Sequence, residues 1–303
     1  MKKNINKTNL SYLAGYIDGD GCFYIGKVTN KKRTAHKFPQ CIAITSVNKE
    51  VLAWCKQLFG GSISTNYNVP KNNKPLHVYI LRKLKVVPLI EEIYPYLVEK
   101  REEAQVFLDF ATSKNVKEKI NLIHKIKILK NTINLVYPCH KEEFEKFIQT
   151  INPTENDFAY LAGFIDAECC FKINKHLSKP RPNYVYQILL QCNNTKAPIF
   201  LWLLQRFGGR INFIDRQKYN SKNQLCWRLG GKALSKILDK IYPFLKHKKP
   251  VCEQLMKFYE TTLSNGGARH TETFRTQYSK VIQIREEIIN NIHKLNSKGI
   301  NIV

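Results

Sequence analysis

Residues 12–27 read YLAGYIDGDGCFYIGK and residues 160–175 read YLAGFIDAECCFKINK, with ten of the sixteen positions identical at a constant offset of 148. Unrelated segments agree at about one position in sixteen, so the chain is an internal duplication. In each copy the first half has helical spacing, with Leu13, Ala14, Tyr16 and Ile17 answering to Leu161, Ala162, Phe164 and Ile165. Asn9 and Asp157 are the expected N-caps, because a short polar side chain accepts from the free N–H groups of a first turn. The second half changes period. Phe23 and Ile25, or Phe171 and Ile173, alternate with more polar neighbours as in a strand with one buried face.

Small residues recur four apart in the helical part: Gly15 with Gly19, and Gly163 with Ala167. Four residues return to nearly the same helix face, so each helix carries a strip along which another backbone can approach closely. Both copies have the strip, and the simplest partner for each helix is the other, across a pseudo-twofold axis. Acids end each helix, Asp18 and Asp20 in one and Asp166 and Glu168 in the other. A helix C-terminus carries partial negative charge, so carboxylates there call for something positive. Side-by-side packing brings Asp20 and Glu168 together with the carbonyls of Gly19 and Ala167. That set of hard oxygen donors suits Mg²⁺, with Mn²⁺ or Ca²⁺ as other occupants of such a site. One Asp at a helix end is ordinarily a solvated turn residue; two acids in register point to a cation.

LAGYIDGDG (13–21) and LAGFIDAEC (161–169) resemble the signature of the LAGLIDADG homing endonucleases, in the form that carries both half-domains on one chain. The resemblance extends over nearly the whole sequence. It implies an α+β fold of two tandem pseudo-symmetric αββαββα units, each with a curved antiparallel sheet forming a DNA-binding saddle. It also implies motif helices at the interface and a last acid in each motif that binds divalent metal, here Asp20 and Glu168. Two departures stand out: Glu at 168 adds a methylene to the ligand, and Cys169 stands where the first copy has Gly21. Either departure is a candidate cause of a slower second half-site, and the sequence leaves the relative cutting rates open. Lys100 and Lys248 correspond within IYPYLVEK and IYPFLKHK, and the resemblance implies a lysine near the active centre, where it neutralises phosphate charge or polarises the attacking water. The family often has Gln or Asn before its second helix; Asn194 fits, whereas the first copy has Ser46.

Lys and Arg number 49 against 24 acids, for a formal charge of +25 spread through both halves. That imbalance points to a polyanion, foremost nucleic acid. The length of 303 residues allows two domains, each large enough to bury a core. Pro138 and Pro153 bracket a short helix that ends the first unit, giving half-domains at 1–151 and 158–303 with a linker at 152–157. With no apolar run long enough for a membrane span and no apolar N-terminal stretch, a soluble protein is expected, and the resemblance to the single-chain form implies a monomer. The abundance of Lys, Asn and Ile suits an AT-rich gene such as an organelle carries. Nine cysteines include no CxxC pair; Cys22, Cys41, Cys170 and Cys192 lie in strand-like runs and are expected as buried free thiols, with neither a disulfide framework nor a zinc site.

The interstrand turns are strongly basic, with Lys31, Lys32, Arg33 and Lys37 in the first copy and Arg181 in the second, and are read as phosphate contacts. On outward strand positions lie Lys172, Asn174 and His176, joined by Gln187 and Gln191 from the next strand and matched by Tyr24 in the first copy. Third strands contribute Ser62, Ser64 and Asn66, or Arg210 and Asn212; fourth strands contribute Arg82 and Arg228. These are side chains able to read base edges or hold phosphate. Between second and third strands each copy has an amphipathic helix closed by a Gly pair, its Trp54 and Phe59, or Trp202 and Phe207, belonging to the core. The whole reads as a monomeric, site-specific double-strand DNA endonuclease that hydrolyses one phosphodiester on each strand of a long asymmetric target. Two alternatives stay open: an RNA-binding maturase assisting intron splicing, and a DNA-binding regulator with a dead centre. Acids retained in both copies argue against each.

Overall fold

Each motif helix starts three residues earlier than its sequence spacing suggests. In the computed structural model, which describes residues 5–29, 36–67, 75–131, 150–177, 184–216, 223–261 and 272–296, helix α1 spans Lys7–Asp20 and its counterpart spans Glu155–Glu168. The N-caps are Asn6, whose side chain accepts from Asn9 N, and Thr154, which forms a capping box with Asp157. Asn9 and Asp157 are therefore N3 residues and not caps, since a cap is defined by the N–H it satisfies three positions on. Residues 155–157 of the expected linker are already helical.

After α1 come β1 (Gly21–Ile25), a short ribbon of β2 (Val28–Thr29) and β3 (His36–Lys37), β4 (Gln40–Ser46), α2 (Lys49–Phe59), β5 (Ser62–Asn66), β6 (Leu76–Arg82) and α3 (Val86–Ile93). Helices α4 (Arg101–Thr112) and α5 (Val116–Asn131) follow. The second unit repeats the plan with α6 (Glu155–Glu168), β7 (Cys169–Leu177), β8 (Tyr184–Asn194), α7 (Ala197–Phe207), β9 (Arg210–Ile214), β10 (Gln224–Gly230) and α8 (Gly231–Ile241), then α9 (Lys249–Glu260) and α10 (Glu272–Asn296). The two main sheets are antiparallel with the same order, β1-β4-β6-β5 and β7-β8-β10-β9. This is the duplicated αββαββα fold that the resemblance implied. The short helix expected between Pro138 and Pro153, and the basic positions Lys31, Lys32, Arg33 and Arg181, lie outside the described residues.

Helices α2 and α7 end where expected. Gly60 and Gly61 (φ +82° and +87°), like Gly208 and Gly209 (φ +68° and +96°), turn the chain back into a strand through backbone angles that L side chains resist. The inner face of each sheet packs on helices through Phe23, Ile42, Ile44 and Leu81 in one half and Phe171, Leu190, Trp227 and Leu229 in the other. The motif helices are not amphipathic. Every residue from Leu10 to Asp18 and from Phe158 to Asp166 is buried, because each helix is covered by its own unit on one side and by the other motif helix on the opposite side. Their backbones all but touch: a Cβ placed on Gly15 would strike the Tyr160 carbonyl oxygen, and one on Gly163 would strike that of Tyr12.

One cysteine expectation is overturned. Cys169 and Cys192 face each other in the β7–β8 register and form a disulfide, with 4.3 Å between Cα atoms. A directly opposed antiparallel pair brings its Cβ atoms within bridging reach, so Cys192 is no free thiol. Cys22, Cys41 and Cys170 are free but half-buried.

Candidate active centre at the paired helix ends

The C-terminal ends of α1 and α6 lie against each other. A Cβ on Gly19 would collide with that of Ala167 and come within 3.0 Å of Glu168 Cγ. Asp20 is half-buried and Glu168 exposed, the longer side chain carrying its carboxylate toward solvent. The Asp20 carboxyl is pushed from its ordinary 3.8 up to about 7, first by burial and then by the charge of Glu168, with Lys248 and Lys100 pulling the other way. Two acids thus share one neighbourhood in a strained charge state, beside the carbonyl-bearing residues Gly19 and Ala167.

Part of the expected positive counterpart is built in. Lys100 Nζ donates to the carbonyls of Ile17 (2.7 Å), Asp18 (2.7 Å) and Gly19 (3.0 Å), and Lys248 Nζ to those of Ile165 (2.5 Å) and Asp166 (3.1 Å). Each ammonium occupies a helix C-terminus, where unpaired carbonyls and the helix dipole favour a cation. In the structure these lysines are helix caps close to the acids, with Lys100 already on one of the carbonyls, Gly19, that the sequence suggested for a metal.

The other acid of each motif has a separate task. Asp18 accepts from the N–H groups of Val98 (2.8 Å), Glu99 (3.0 Å) and Lys100 (2.9 Å), at the start of α4. Asp166 does the same with Lys246 (2.7 Å), His247 (3.1 Å) and Lys248 (2.7 Å), at the start of α9. Each also takes a phenol from the opposite half, Tyr160 to Asp18 at 2.6 Å and Tyr12 to Asp166 at 2.8 Å. Carboxylates at the ends of their own helices are thereby held at the positive ends of others. Sequence reading missed these tyrosines, whose signal was a hydroxyl at matched positions of a wholly apolar helix.

The remaining positions differ between halves. Ser46 is buried, its Oγ accepting from the Tyr16 hydroxyl at 3.0 Å and from Asn48 N at 3.1 Å. Asn194 instead accepts from the N–H groups of Thr195 and Lys196 and donates across the interface to Glu99 at 2.8 Å. Glu99, with Glu103 and Lys196, was also not singled out from the sequence.

The family described as LAGLIDADG endonuclease matches residues 13–116 and 161–262, one match on each unit. The chain belongs to the LAGLIDADG family. Solved structures of single-chain members share the fold of this LAGLIDADG chain at low identity. The meganuclease I-SmaMI bound to cleaved DNA superposes with a TM-score of 0.66 at 17% identity, covering 97% of this chain and 98% of that one. I-SmaMI bound to an uncleaved DNA target in the presence of calcium ions gives 0.61 at 16%, covering 93% and 98%. I-AabMI bound to uncleaved DNA gives 0.59 at 20%, covering 98% and 99%. A search of curated protein sequences found no match.

On the two LAGLIDADG sheets the strand parity is as the sequence indicated. Tyr24, Ser62, Ser64, Asn66 and Arg82 are exposed in the first unit, as are Lys172, His176, Gln187, Arg210, Asn212 and Arg228 in the second; Asn174 and Gln191 are half-buried. Lys37 is exposed on the β2–β3 ribbon. Register aligns Tyr24, Cys41 and Arg82 in one row across the first sheet, and Cys170, Gln191, Arg228 and Arg210 in one row across the second. The outer face of each LAGLIDADG sheet therefore presents polar and basic side chains in ordered rows.

Proposed function

We propose that this protein is a monomeric homing-type endonuclease that hydrolyses one phosphodiester on each strand of a long, asymmetric double-stranded DNA target, with Mg²⁺ as the working cation. The observation that carries the reading is geometric: two helices end on acids, Asp20 and Glu168, and pack so closely there that a Cβ on Gly19 would collide with that of Ala167 and lie 3.0 Å from Glu168 Cγ. Like charges held this way favour a hard cation between them. The donors fit such an ion: the carboxylates of Asp20 and Glu168, with the Ala167 carbonyl, would hold it, and the Gly19 carbonyl would join them only where Lys100 Nζ yields it. When bound, a divalent cation supplies Lewis acidity toward a phosphate oxygen and lowers the pKa of water.

The chain's own residues do the rest. Lys100 and Lys248 fix the helix ends that present the acids, and add positive charge where a scissile phosphate would sit. The outer sheet faces, on a chain of formal charge +25, supply contacts to phosphate and base edges. Strand β7, nine residues long, spans roughly 30 Å, about one turn of duplex. Since the two faces carry different side chains, the target is asymmetric. The DNA-bound states of I-SmaMI and I-AabMI support this reading, and the calcium-containing I-SmaMI complex supports divalent metal. We read 1–151 and 158–303 as the half-domains, and an organelle genome as the place of action.

The test is selection of cut sequences from a randomised duplex library, then plasmid cleavage at the selected site with Mg²⁺ or with chelator. The parent should linearise the plasmid only with metal, and Asp20→Asn and Glu168→Gln should each lose that activity. Cutting at parental rate by both variants would sink the mechanism.

A further inference from the structure

The two sides of the interface are not chemically equivalent next to the paired acids. On one side Asn194, at the end of β8, has its carboxamide held at both ends. Its Oδ1 accepts from Thr195 N (2.6 Å) and Lys196 N (3.2 Å), and its Nδ2 donates to Glu99 Oε2 (2.8 Å). A carboxamide has donor and acceptor ends of nearly the same shape, so its orientation is set by partners such as these. Glu99 is held in turn. Lys196 Nζ lies 3.7 Å from Glu99 Oε1 and 3.1 Å from Glu103 Oε1, and the three side chains are only 15%, 5% and 4% exposed. The string runs from Glu99 and Glu103 of the first unit to Asn194 and Lys196 of the second.

At the positions 148 residues away stand Ser46 for Asn194, Asn48 for Lys196, His247 for Glu99 and Val251 for Glu103. There Ser46 bonds within its own unit, and the Asn48 amide nitrogen meets the His247 ring. One side is thus a carboxyl–lysine–carboxyl cluster gripping a carboxamide, and the other has a serine and no matching carboxyls. Glu99 N donates to Asp18 at 3.0 Å, and the next residue, Lys100, holds the Gly19 carbonyl at 3.0 Å, so the cluster borders the candidate centre.

Resting on the nuclease reading above, we propose that Glu99 is a positioning residue: locked by Lys196, it orients Asn194 across the interface, and cleavage of one DNA strand depends on that grip while cleavage of the other does not. Nothing reacts at Glu99. It anchors the Nδ2 end of an amide whose Oδ1 end is fixed by the Thr195 and Lys196 N–H groups, and displacement of about an ångström at a positioning group is enough to slow a reaction by up to about a hundredfold.

The experiment uses the full chain and its selected duplex, each strand labelled separately, under single-turnover conditions. Glu99→Ala and Asn194→Ser should slow the same strand by about tenfold and change the other by no more than about twofold. The double variant should be no slower than the worse single one, as for two residues acting as a unit. Glu99→Gln, which keeps an acceptor for Asn194, should restore the slowed strand. In the metal-free protein, the Asn194 side-chain amide protons should exchange slowly in the parent and in Glu99→Gln but fast in Glu99→Ala. Equal slowing of both strands, additive effects, or unchanged exchange would overturn the assignment. A parent that cuts neither strand overturns the nuclease reading and this one with it; a parent that cuts, with an unchanged strand ratio across the variants, overturns this one alone.

Discussion

The Tyr160 hydroxyl donates to Asp18 at 2.6 Å across the interface between the two units. Both side chains are buried, and Tyr12 with Asp166 repeats the bond in the other direction. Asp18 keeps three backbone N–H partners without the phenol, so no orphaned charge is left when the hydroxyl is removed. Tyr160→Phe should therefore cost about 1.5–3 kcal/mol, the range for a hydrogen bond to a charged group, and Tyr12→Phe about the same. Urea unfolding of both variants checks this, and midpoints identical to the parent's would deny the bonds any part in stability.

Gly15 and Gly163 tolerate no side chain, because the nearest obstacle to each is a main-chain carbonyl that cannot swing aside. Gly15→Ala and Gly163→Ala should each lose about 3 kcal/mol or more, at the upper end of overpacking. Gly208 provides the contrast: nothing lies within 4 Å of an added Cβ, and only its backbone, φ +68° and ψ −142°, resists a side chain, so Gly208→Ala should cost about 1–3 kcal/mol, from the backbone alone. Soluble yield and thermal midpoints of the three variants should separate them in that order.

Asp20 and Glu99 both have carboxyls raised to about 7, from ordinary values of 3.8 and 4.5, mainly through burial. The folded state then holds protons that the unfolded chain has released. Stability from these groups is fully present below their unfolded values and is lost as pH rises through about 7. Without divalent cation, Tm should fall from about pH 6 to about pH 8, and added Mg²⁺ should raise Tm more at the higher pH, where the carboxylates are free of competing protons. Differential scanning calorimetry with chelator and with Mg²⁺ reads both effects. A metal-free Tm that climbs across this interval would contradict them.

Lys100 and Lys248 cap their helices unequally, with three carbonyls on Lys100 and two on Lys248. Methionine keeps most of the aliphatic stem and removes the donors. Lys100→Met should destabilise by about 2–3 kcal/mol and Lys248→Met by less, since each lost charged donor leaves a carbonyl partly unsatisfied. Guanidinium unfolding ranks them; the opposite order would mean that local burial outweighs the number of bonds.

Duplication made the architecture legible. With the elements from α1 to α4, the β2–β3 ribbon excepted, recurring at one offset, an uncertain stretch in one copy could be read from the other, and strand parity then placed Ser62, Ser64, Lys172 and Arg228 on the outer faces. The pairing of Asp20 with Glu168 followed from glycine spacing alone. What stayed hidden depends on partners remote in sequence. Asn6 and Asn9 are equally good caps until the bonded N–H is known. Cys169 and Cys192 become a pair only through the β7–β8 register. Lys100 is an exposed-looking lysine until α4 starts under the end of α1, and Glu99 gains meaning only once Lys196 arrives from the other unit. The difference between Val98-Glu99 and Lys246-His247, inside an octapeptide otherwise matched but for Tyr96 and Phe244, was the trace of that asymmetry.

Where Gly15 and Gly163 meet the opposite carbonyls, the halves are gauged by peptide against peptide. Such a joint has no rotamers to exchange and no methylene to gain or shed. The outer faces are therefore at liberty to drift toward any recognition code, while the interval between the two acids, and with it the stagger of any pair of cuts they make, stays at the value set by the backbone.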